Sequence, residues 1–388
     1  MQKKSALAAV LVFVMAAILR PLQSVVGPLL PNMGADLGLG EGLQGLLTTV
    51  PLIAFGVVSL VVPCLVRKIG IEVLAFLALI GLALGTVLRS LPLGLWVLWI
   101  GTTLIGICIG IGNVLGPAFV SRDYPKQISR ATGLFSAILS AFAALGAILA
   151  VPVANAVGWR VSLAFWLPLV VVTAILWVPR MWSFRGIVPE HGSMRQTMRR
   201  ASTWWITLYV GLQSALFFIY LGWLPTIAVA SGESPAAGGV AIFCYQIAGI
   251  VGSIVVSRHI RDESQSVVAA IIMVPCALGT VGLIFLPHLI ILWSIVAGAG
   301  SGASLVVSLA MIGISGRQHG DTEQLSGIAQ SFGYFIAACG PFGLGLIVEH
   351  GGTWTLALSL VAIMCGLHSW VGLKAGARTR NLMPLVKD

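Results

Sequence analysis

The sequence predicts an all-α membrane protein whose twelve transmembrane helices form two pseudo-symmetric bundles of six. Three observations predict this fold: an apolar composition, twelve apolar stretches of membrane-spanning length, and a repeat that relates the two halves of the chain. Of the 388 residues, 58% are hydrophobic and only 9% are charged, whereas a soluble domain carries about 25% charged residues. This composition excludes a soluble enzyme, a disordered chain and a nucleic-acid-binding domain, despite the net charge of +10.

The apolar residues are grouped into stretches that can each cross a bilayer, which requires about 20 mostly apolar residues. These stretches cover residues 5–31, 42–66, 71–91, 94–119, 131–157, 161–178, 204–229, 236–257, 266–286, 289–315, 324–349 and 353–373. The longest connection between them is polar and basic. We therefore predict an N-terminal six-helix bundle at 1–178, a cytoplasmic central loop at 179–203 and a C-terminal six-helix bundle at 204–388.

The basic residues indicate the orientation of the chain in the membrane. If the N-terminus is cytoplasmic, the cytoplasmic segments hold every basic residue except Arg20, Arg89 and Arg160, which leaves 19 of the 22 on that side. Such an imbalance is what the positive-inside rule describes. An even number of spans then places both termini in the cytoplasm.

An internal repeat relates the two halves of the sequence. When the second half is shifted by 194 residues, seven glycine pairs coincide, Gly38 with Gly232 among them. With 21 and 25 glycines in the two halves, chance predicts roughly 2.7 pairs. Parallel repeats of six spans are a transporter architecture, and its solute site is expected near the membrane midplane between the halves.

Arg20 is the one charged residue that the sequence places well inside a span. A charge there costs about 2.5–3.5 kcal/mol on insertion scales and therefore marks function by default. In the functional interpretation, Arg20 attracts an anion or a polarised ligand and holds it through forked hydrogen bonds. In the structural interpretation, Arg20 snorkels or binds the carbonyls that Pro21 leaves without donors.

Amides and aromatic hydroxyls form the remaining mid-span polar set. Each one alone is commonly a contact between helices, but a group at similar depth predicts a wet cavity for a small, polar, planar solute. The predicted solute-binding residues are Arg20, Gln23, Asn113, Gln213, Tyr220, Tyr245, Gln246, Gln330 and Tyr334.

Motifs for other chemistries are missing from the sequence. It has no Walker A motif, no HExxH and no GxSxG, so neither ATP coupling nor hydrolysis is indicated. Its six cysteines contain no CxxC pair, and we infer neither a disulfide nor a metal site. We therefore predict that the chain is not an enzyme and uses no cofactor. The expected partners are a small-molecule substrate and the lipid bilayer, without nucleic acid, and we expect a monomer.

Several local motifs resemble those of a known transporter family. They lie at residues 19–31 (LRPLQSVVGPLLP), 112–117 (GNVLGP), 122–125 (RDYP), 222–225 (GWLP) and 325–334 (LSGIAQSFGY). Together they resemble the cyanate permease and 2-nitroimidazole exporter family of the major facilitator superfamily, and they are closer to the nitroimidazole side. The resemblance implies the major facilitator fold, a place in the bacterial inner (plasma) membrane, and a cyanate-like anion or a nitroimidazole-like heterocycle as the solute.

The connection between the second and third spans departs from the superfamily pattern. There the superfamily usually reads Gly-x-x-x-Asp-Arg-x-Gly-Arg-Lys, whereas this chain has Arg67 at the acidic position and retains Gly70. The resemblance implies that this loop latches one conformation, so Arg67, Gly70 and Glu72 are predicted gating residues. In this hypothesis, Glu72 substitutes for the missing acidic residue.

The resulting functional prediction is a secondary active or facilitative transporter that moves a small polar or anionic solute by alternating access. The alternative is a membrane receptor or scaffold that transports nothing. Large soluble domains or long tails would favour that alternative, and this sequence contains neither. A measurement of solute flux distinguishes the two.

Overall fold

The computed structural model describes residues 2–124, 128–183, 194–259, 266–319 and 322–380. Twelve helical stretches in these ranges are long and apolar enough to cross a membrane, and the regular elements of these ranges are all helices. The predicted all-α fold with twelve spans is therefore confirmed.

The spans follow one another along the chain with short connections. They are span 1 (Gln2–Leu19, Pro21–Ser24 and Val26–Leu37), span 2 (Glu41–Ile69), span 3 (Ile71–Ser90), span 4 (Leu95–Asp123), span 5 (Ile128–Val157), span 6 (Trp159–Ala164 and Leu167–Ser183), span 7 (Ala201–Ala230), span 8 (Pro235–Ser257), span 9 (Ser266–Ile271 and Val274–Phe285), span 10 (Ile290–His319), span 11 (Thr322–Glu349) and span 12 (Trp354–Arg380). A short helix, Met194–Met198, precedes span 7, and a 3₁₀ turn, Pro287–Leu289, precedes span 10.

Glycines with left-handed backbone make several of the tight turns between spans. Gly38 (φ +64°) and Gly232 (φ +87°) follow spans 1 and 7, and they are also a pair in the sequence repeat. Only glycine adopts this backbone without a steric penalty. We call the end of the bundle that carries these two turns the distal face, and the end that carries Gln2 and Arg380 the terminal face.

Spans 1–6, the N-terminal set, contact spans 7–12, the C-terminal set, mainly through three helix pairs, with smaller contacts of span 1 with span 8 and of span 2 with span 7. Span 2 packs against span 11, span 5 against span 8, and span 1 against span 7. Spans 2 and 8 are each second in their set, and spans 5 and 11 are each fifth. Exchanging the two sets therefore converts the first contact into the second, as the sequence repeat predicts. The division into bundles at 179–203 stays a prediction, and span 6 continues past residue 178 to Ser183.

The contact between spans 2 and 11 uses small residues and side-chain hydroxyls. Thr49 Oγ1 donates to the Ala338 carbonyl at 3.2 Å, and Ser331 Oγ donates to the Gly56 carbonyl at 2.6 Å. A Cβ atom on Gly45 would lie 2.8 Å from the carbonyl oxygen of Pro341. Close approach of backbones through small residues is the usual way in which membrane helices pack.

The two sets pack tightly toward the distal face and separate toward the terminal face. In span 8, Gly239 lies near the distal face, and a Cβ on it would be 3.0 Å from the Ala147 carbonyl of span 5. Nearer the terminal face, residues 136–142 of span 5 are all partly exposed, and none of residues 247–255 of span 8 is buried. Span 8 still packs on span 10 here, where Ser253 Oγ donates to the Gly302 carbonyl at 2.8 Å, but neither stretch has the buried residues that mark close packing of spans 5 and 8. This indicates that spans 5 and 8 separate toward the terminal face and leave a gap between them.

An ionic cluster fixes spans 3, 4 and 6 to one another at the terminal face. The Glu72 carboxylate accepts hydrogen bonds from Arg122 Nη2 at 2.6 Å and from Arg180 Nε at 2.9 Å. Arg180 Nη2 also donates to Asp123 at 2.6 Å, and its guanidinium lies 4.8 Å from the ring centroid of Phe119. Glu72 and Arg180 are each 1% exposed at the side chain. Arg180, which the sequence placed in the central loop, therefore belongs to span 6.

The predicted gating residues belong to this same region of the N-terminal set. Gly70 makes the turn between spans 2 and 3 with φ +86°, and Glu72 lies two residues further along. The Arg67 backbone is in the last turns of span 2, but its side chain lies outside the described residues. The gating role of Arg67, Gly70 and Glu72 stays a prediction, and the partners of Glu72 are residues of its own set.

Glu72→Gln should destabilise the protein strongly, because it leaves two arginines with one fewer carboxylate. Removing one partner of a buried ion pair typically costs about 3–5 kcal/mol. Denaturant titration in mixed micelles measures the effect. Asp36→Asn is the matched control, because the Asp36–Arg160 pair at the distal face is exposed and should contribute little. Equal losses for both variants would contradict a structural role for the buried cluster.

Candidate functional site

A break in span 1 determines where Arg20 lies. The first helix of the span ends at Leu19 and a four-residue helix begins at Pro21, which has no backbone N–H to continue the ladder. The Arg20 carbonyl accepts from the N–H groups of Gln23 at 3.1 Å and Ser24 at 2.9 Å. Ser24 Oγ donates to the Ala143 carbonyl of span 5 at 2.7 Å. Span 5 therefore fixes the broken segment in the N-terminal set.

The Arg20 side chain extends from this break toward the C-terminal set. Its guanidinium carbon lies 5.8 Å from the ring centroid of Phe217 in span 7, and Tyr334 in span 11 is also close to it. Arg20 is half-buried, and its Nη1 atom has no hydrogen-bond partner among the described residues. An arginine in this setting is available to bind an anion or a polar acceptor.

Further aromatic rings connect Phe217, the ring beside Arg20, to spans 2, 8 and 11. Phe217 lies 6.2 Å from Tyr245, which stacks on Tyr220 with centroids 5.1 Å apart. Phe218 lies 6.5 Å from Tyr334, whose ring meets Phe55 of span 2 edge-on at 5.3 Å. We call these six rings the aromatic cluster. Rings of this kind accommodate a planar solute by stacking or edge contact.

Three predicted site residues on spans 1, 4 and 8 carry buried polar atoms that lack a partner in the described residues. They are Gln23 Oε1, Asn113 Nδ2 and Tyr245 Oη. The Tyr245 hydroxyl is near Ser301 Oγ, but both oxygens lack a hydrogen bond of acceptable geometry. A buried polar atom without a partner is unfavourable, so these atoms favour a polar ligand or water between the spans.

The structure gives other predicted site residues partners inside the protein. Tyr220 Oη is 2.6 Å from Thr280 Oγ1, and Gln330 Nε2 donates to Ser326 one turn earlier in span 11 at 2.9 Å. Gln213 accepts a long hydrogen bond of 3.3 Å from Ser214. Gln246 is buried, with 6% of its surface exposed. Which of the predicted residues bind solute stays a prediction.

The sequence did not identify Arg89, Phe217 or Phe218 as candidates for the site. Arg89 is at the distal end of span 3, so the sequence placed it outside the membrane core. Its side chain is nevertheless buried, with 3% exposure, and its Nη1 donates to the Leu22 carbonyl of span 1 at 2.8 Å. Pattern alone gave no signal for this contact, because the long side chain points back along the helix.

Twelve membrane spans, two sets of helices in close contact, and a half-buried polar site between them define a membrane transporter. Residues 7–317 match the family model of the Major Facilitator Superfamily, and the chain belongs to that superfamily. Its relatives are transporters, so a receptor or a scaffold is not supported.

Three curated relatives are similar over most of their length. The chain is 34% identical over 377 residues to the 2-nitroimidazole transporter of Escherichia coli (strain K12), and this alignment covers 94% of each of the two proteins. It is 31% identical over 358 residues to the uncharacterized transporter YycB of Bacillus subtilis (strain 168), covering 88% of this chain and 87% of the relative. It is 26% identical over 357 residues to the cyanate transport protein CynX of Escherichia coli (strain K12), covering 89% and 92%. The family resemblance inferred from the sequence is thereby confirmed.

Tyr220→Phe should lower the free energy of unfolding by about 1 kcal/mol, the typical net value of a buried hydrogen bond. The loss is limited because Thr280 still donates to the Cys276 carbonyl at 2.8 Å. Tyr245→Phe is the matched control: its hydroxyl has no partner in the described residues, so removing it should leave the stability unchanged or raise it. Thermal unfolding in detergent measures both variants, and a larger loss for Tyr245→Phe would contradict the assignment.

Proposed function

We propose that this chain carries a small polar or anionic solute across the bacterial inner membrane by alternating access. The solute is a nitroimidazole-like heterocycle or a cyanate-like anion. The observation that carries the proposal is the position of Arg20, at the break in span 1 and beside Phe217, a member of the aromatic cluster that span 7 of the opposite set contributes. An unpartnered arginine nitrogen attracts the oxygen or nitrogen acceptors of such a solute, and the rings hold its plane.

The names of the relatives support the same solute class. One relative is called a 2-nitroimidazole transporter and another a cyanate transport protein. Both solutes are small and planar or linear, and both present acceptor atoms without needing a large pocket. This fits a narrow site lined by one arginine, amides and aromatic rings.

The two six-span bundles, 1–178 and 204–388, are proposed to rock about this site, and a monomer suffices for the motion. We propose that the terminal face is cytoplasmic, because the basic residues of the sequence concentrate there. The conformation described above is then inward-facing: the gap opens to the cytoplasm, while spans 2 and 11 and spans 5 and 8 close the distal face.

Arg20→Ala should reduce counterflow of labelled 2-nitroimidazole or cyanate in proteoliposomes by about tenfold or more, as expected when a charge-assisted hydrogen bond is lost. Arg20→Lys should retain part of the activity, because it preserves the charge but not the forked geometry. Arg160→Gln, at the exposed distal face, is the control. If the wild type transports the solute and Arg20→Ala shows the same counterflow, Arg20 is not part of the site. If the wild type transports neither solute, the proposed solute class is wrong.

A cysteine scan tests the proposed orientation and conformation. On a cysteine-free background, some positions in 136–142 of span 5 should react with a membrane-impermeant maleimide with helical periodicity, because they border the gap. The Ala147 position, packed against Gly239, should stay unlabelled. Labelling should occur in inside-out vesicles and be weaker in right-side-out vesicles; the reverse preference would overturn the proposed orientation.

A further inference from the structure

A second arginine borders a narrow cavity on the distal side of Arg20. Spans 1, 2, 3, 4 and 7 enclose the cavity, and its lining includes Gln23, Thr48, Arg89, Thr102, Phe218 and Leu221. In this conformation its free space fits about one water-sized group, so a larger polar group enters only when the surrounding side chains or spans move apart. Because Phe218 belongs to both the cavity wall and the aromatic cluster, a solute ring in the cluster could extend one substituent into the cavity.

Only one of the three guanidinium nitrogens of Arg89 has a hydrogen-bond partner in the described residues. Its Nη1 atom donates to the Leu22 carbonyl, which lies in a four-residue helix too short to supply that carbonyl with its own donor. Its Nε and Nη2 atoms have no partner in the described residues, although only 3% of the Arg89 surface is exposed. No carboxylate of the described ranges pairs with it. A buried charge in this state favours a ligand that supplies acceptors.

The two free nitrogens have a definite geometry. Nε–H and the adjacent Nη2–H lie on one edge of the planar guanidinium and point in parallel. This edge matches two oxygens carried by one atom, as in a carboxylate. A nitro group has the same arrangement of two oxygens, whereas linear cyanate does not.

The other polar groups of the cavity compete little for this edge. The Thr48 hydroxyl donates to the Gly45 carbonyl, and the Thr102 hydroxyl donates to the Leu98 carbonyl, each at 2.8 Å. Gln23 Oε1, in contrast, lacks a donor. A solute with two paired oxygens and an N–H or O–H group would therefore satisfy both Arg89 and Gln23.

We propose that this cavity is a head-group pocket in which Arg89 binds the two oxygens of a nitro or carboxylate group. The inference rests on the proposed function, since it assigns the nitro or carboxylate group of the transported solute to a second arginine on the distal side of Arg20. Leu221 of span 7 forms part of the wall, so the pocket opens to the distal face only when the two sets separate there.

The test compares solutes with and without the oxygen pair on Arg89→Lys. This variant retains the charge and one donor for Leu22 but loses the forked edge. The half-saturating concentration for 2-nitroimidazole counterflow should rise about tenfold, and that for cyanate should change less than threefold. Formate, as the carboxylate probe, should compete with 2-nitroimidazole on the wild type and should lose this competition on Arg89→Lys; formate that competes equally on both would contradict binding of the oxygen pair by Arg89. Arg160→Gln is the arginine control.

The outcomes separate this inference from the proposed function. If the wild type transports 2-nitroimidazole and folded Arg89→Lys has an unchanged half-saturating concentration, Arg89 is only a cap for span 1 and the inference is wrong. If the wild type transports neither solute, the proposed solute class is wrong, and a thermal-shift measurement tests the pocket by itself. Formate or nitrite should then raise the unfolding temperature of the wild type but not that of Arg89→Lys, and equal shifts for both proteins would contradict the pocket. If Arg89→Lys does not fold, Gln23→Met takes its place, and an unchanged half-saturating concentration for 2-nitroimidazole counterflow in this variant would contradict the pocket.

Discussion

The break in span 1 is the constraint on which the rest of the structure depends. A helix in lipid must satisfy its own backbone groups, and Pro21 prevents span 1 from doing so over one turn. Two side-chain hydrogen bonds then join the interrupted segment to neighbouring spans: Arg89 of span 3 donates to the Leu22 carbonyl, and Ser24 Oγ donates to the Ala143 carbonyl of span 5. The break in turn projects Arg20 out of the N-terminal set. One local defect thus determines the packing of three spans and the position of a charge.

Much of this arrangement follows from the sequence because the signals are local. The number of spans follows from runs of apolar residues, and the repeat follows from glycines such as Gly38 and Gly232, which both make left-handed turns. The predicted span 6 ends at residue 178, because the apolar run stops there and the connection that follows is polar and basic. In the structure Pro179 lies inside the helix, and the next residue, Arg180, is buried against Glu72.

The remaining features depend on contacts between distant parts of the chain, which a single sequence does not contain. The hydroxyl of Tyr220 is bound by Thr280 of span 9, whereas that of Tyr245, its stacking partner, is not bound. Both are mid-span tyrosines, so sequence position cannot separate them. Arg89 was missed for a related reason: the depth of its Cα is near the distal face, but its side chain reaches span 1.

The hydrogen bonds between the two sets have a consequence for the balance between conformations. Thr49 and Ser331 donate across the contact between spans 2 and 11 to backbone carbonyls within helices, which already accept from their own ladders. When the sets separate, each hydroxyl can rotate to a carbonyl one turn back in its own helix, as Ser59 does to Phe55 at 2.7 Å. Neither donor nor acceptor is then orphaned. In the proposed rocking motion, separating the sets at this contact therefore leaves no hydroxyl unpaired, which lowers the free energy that a small solute has to supply.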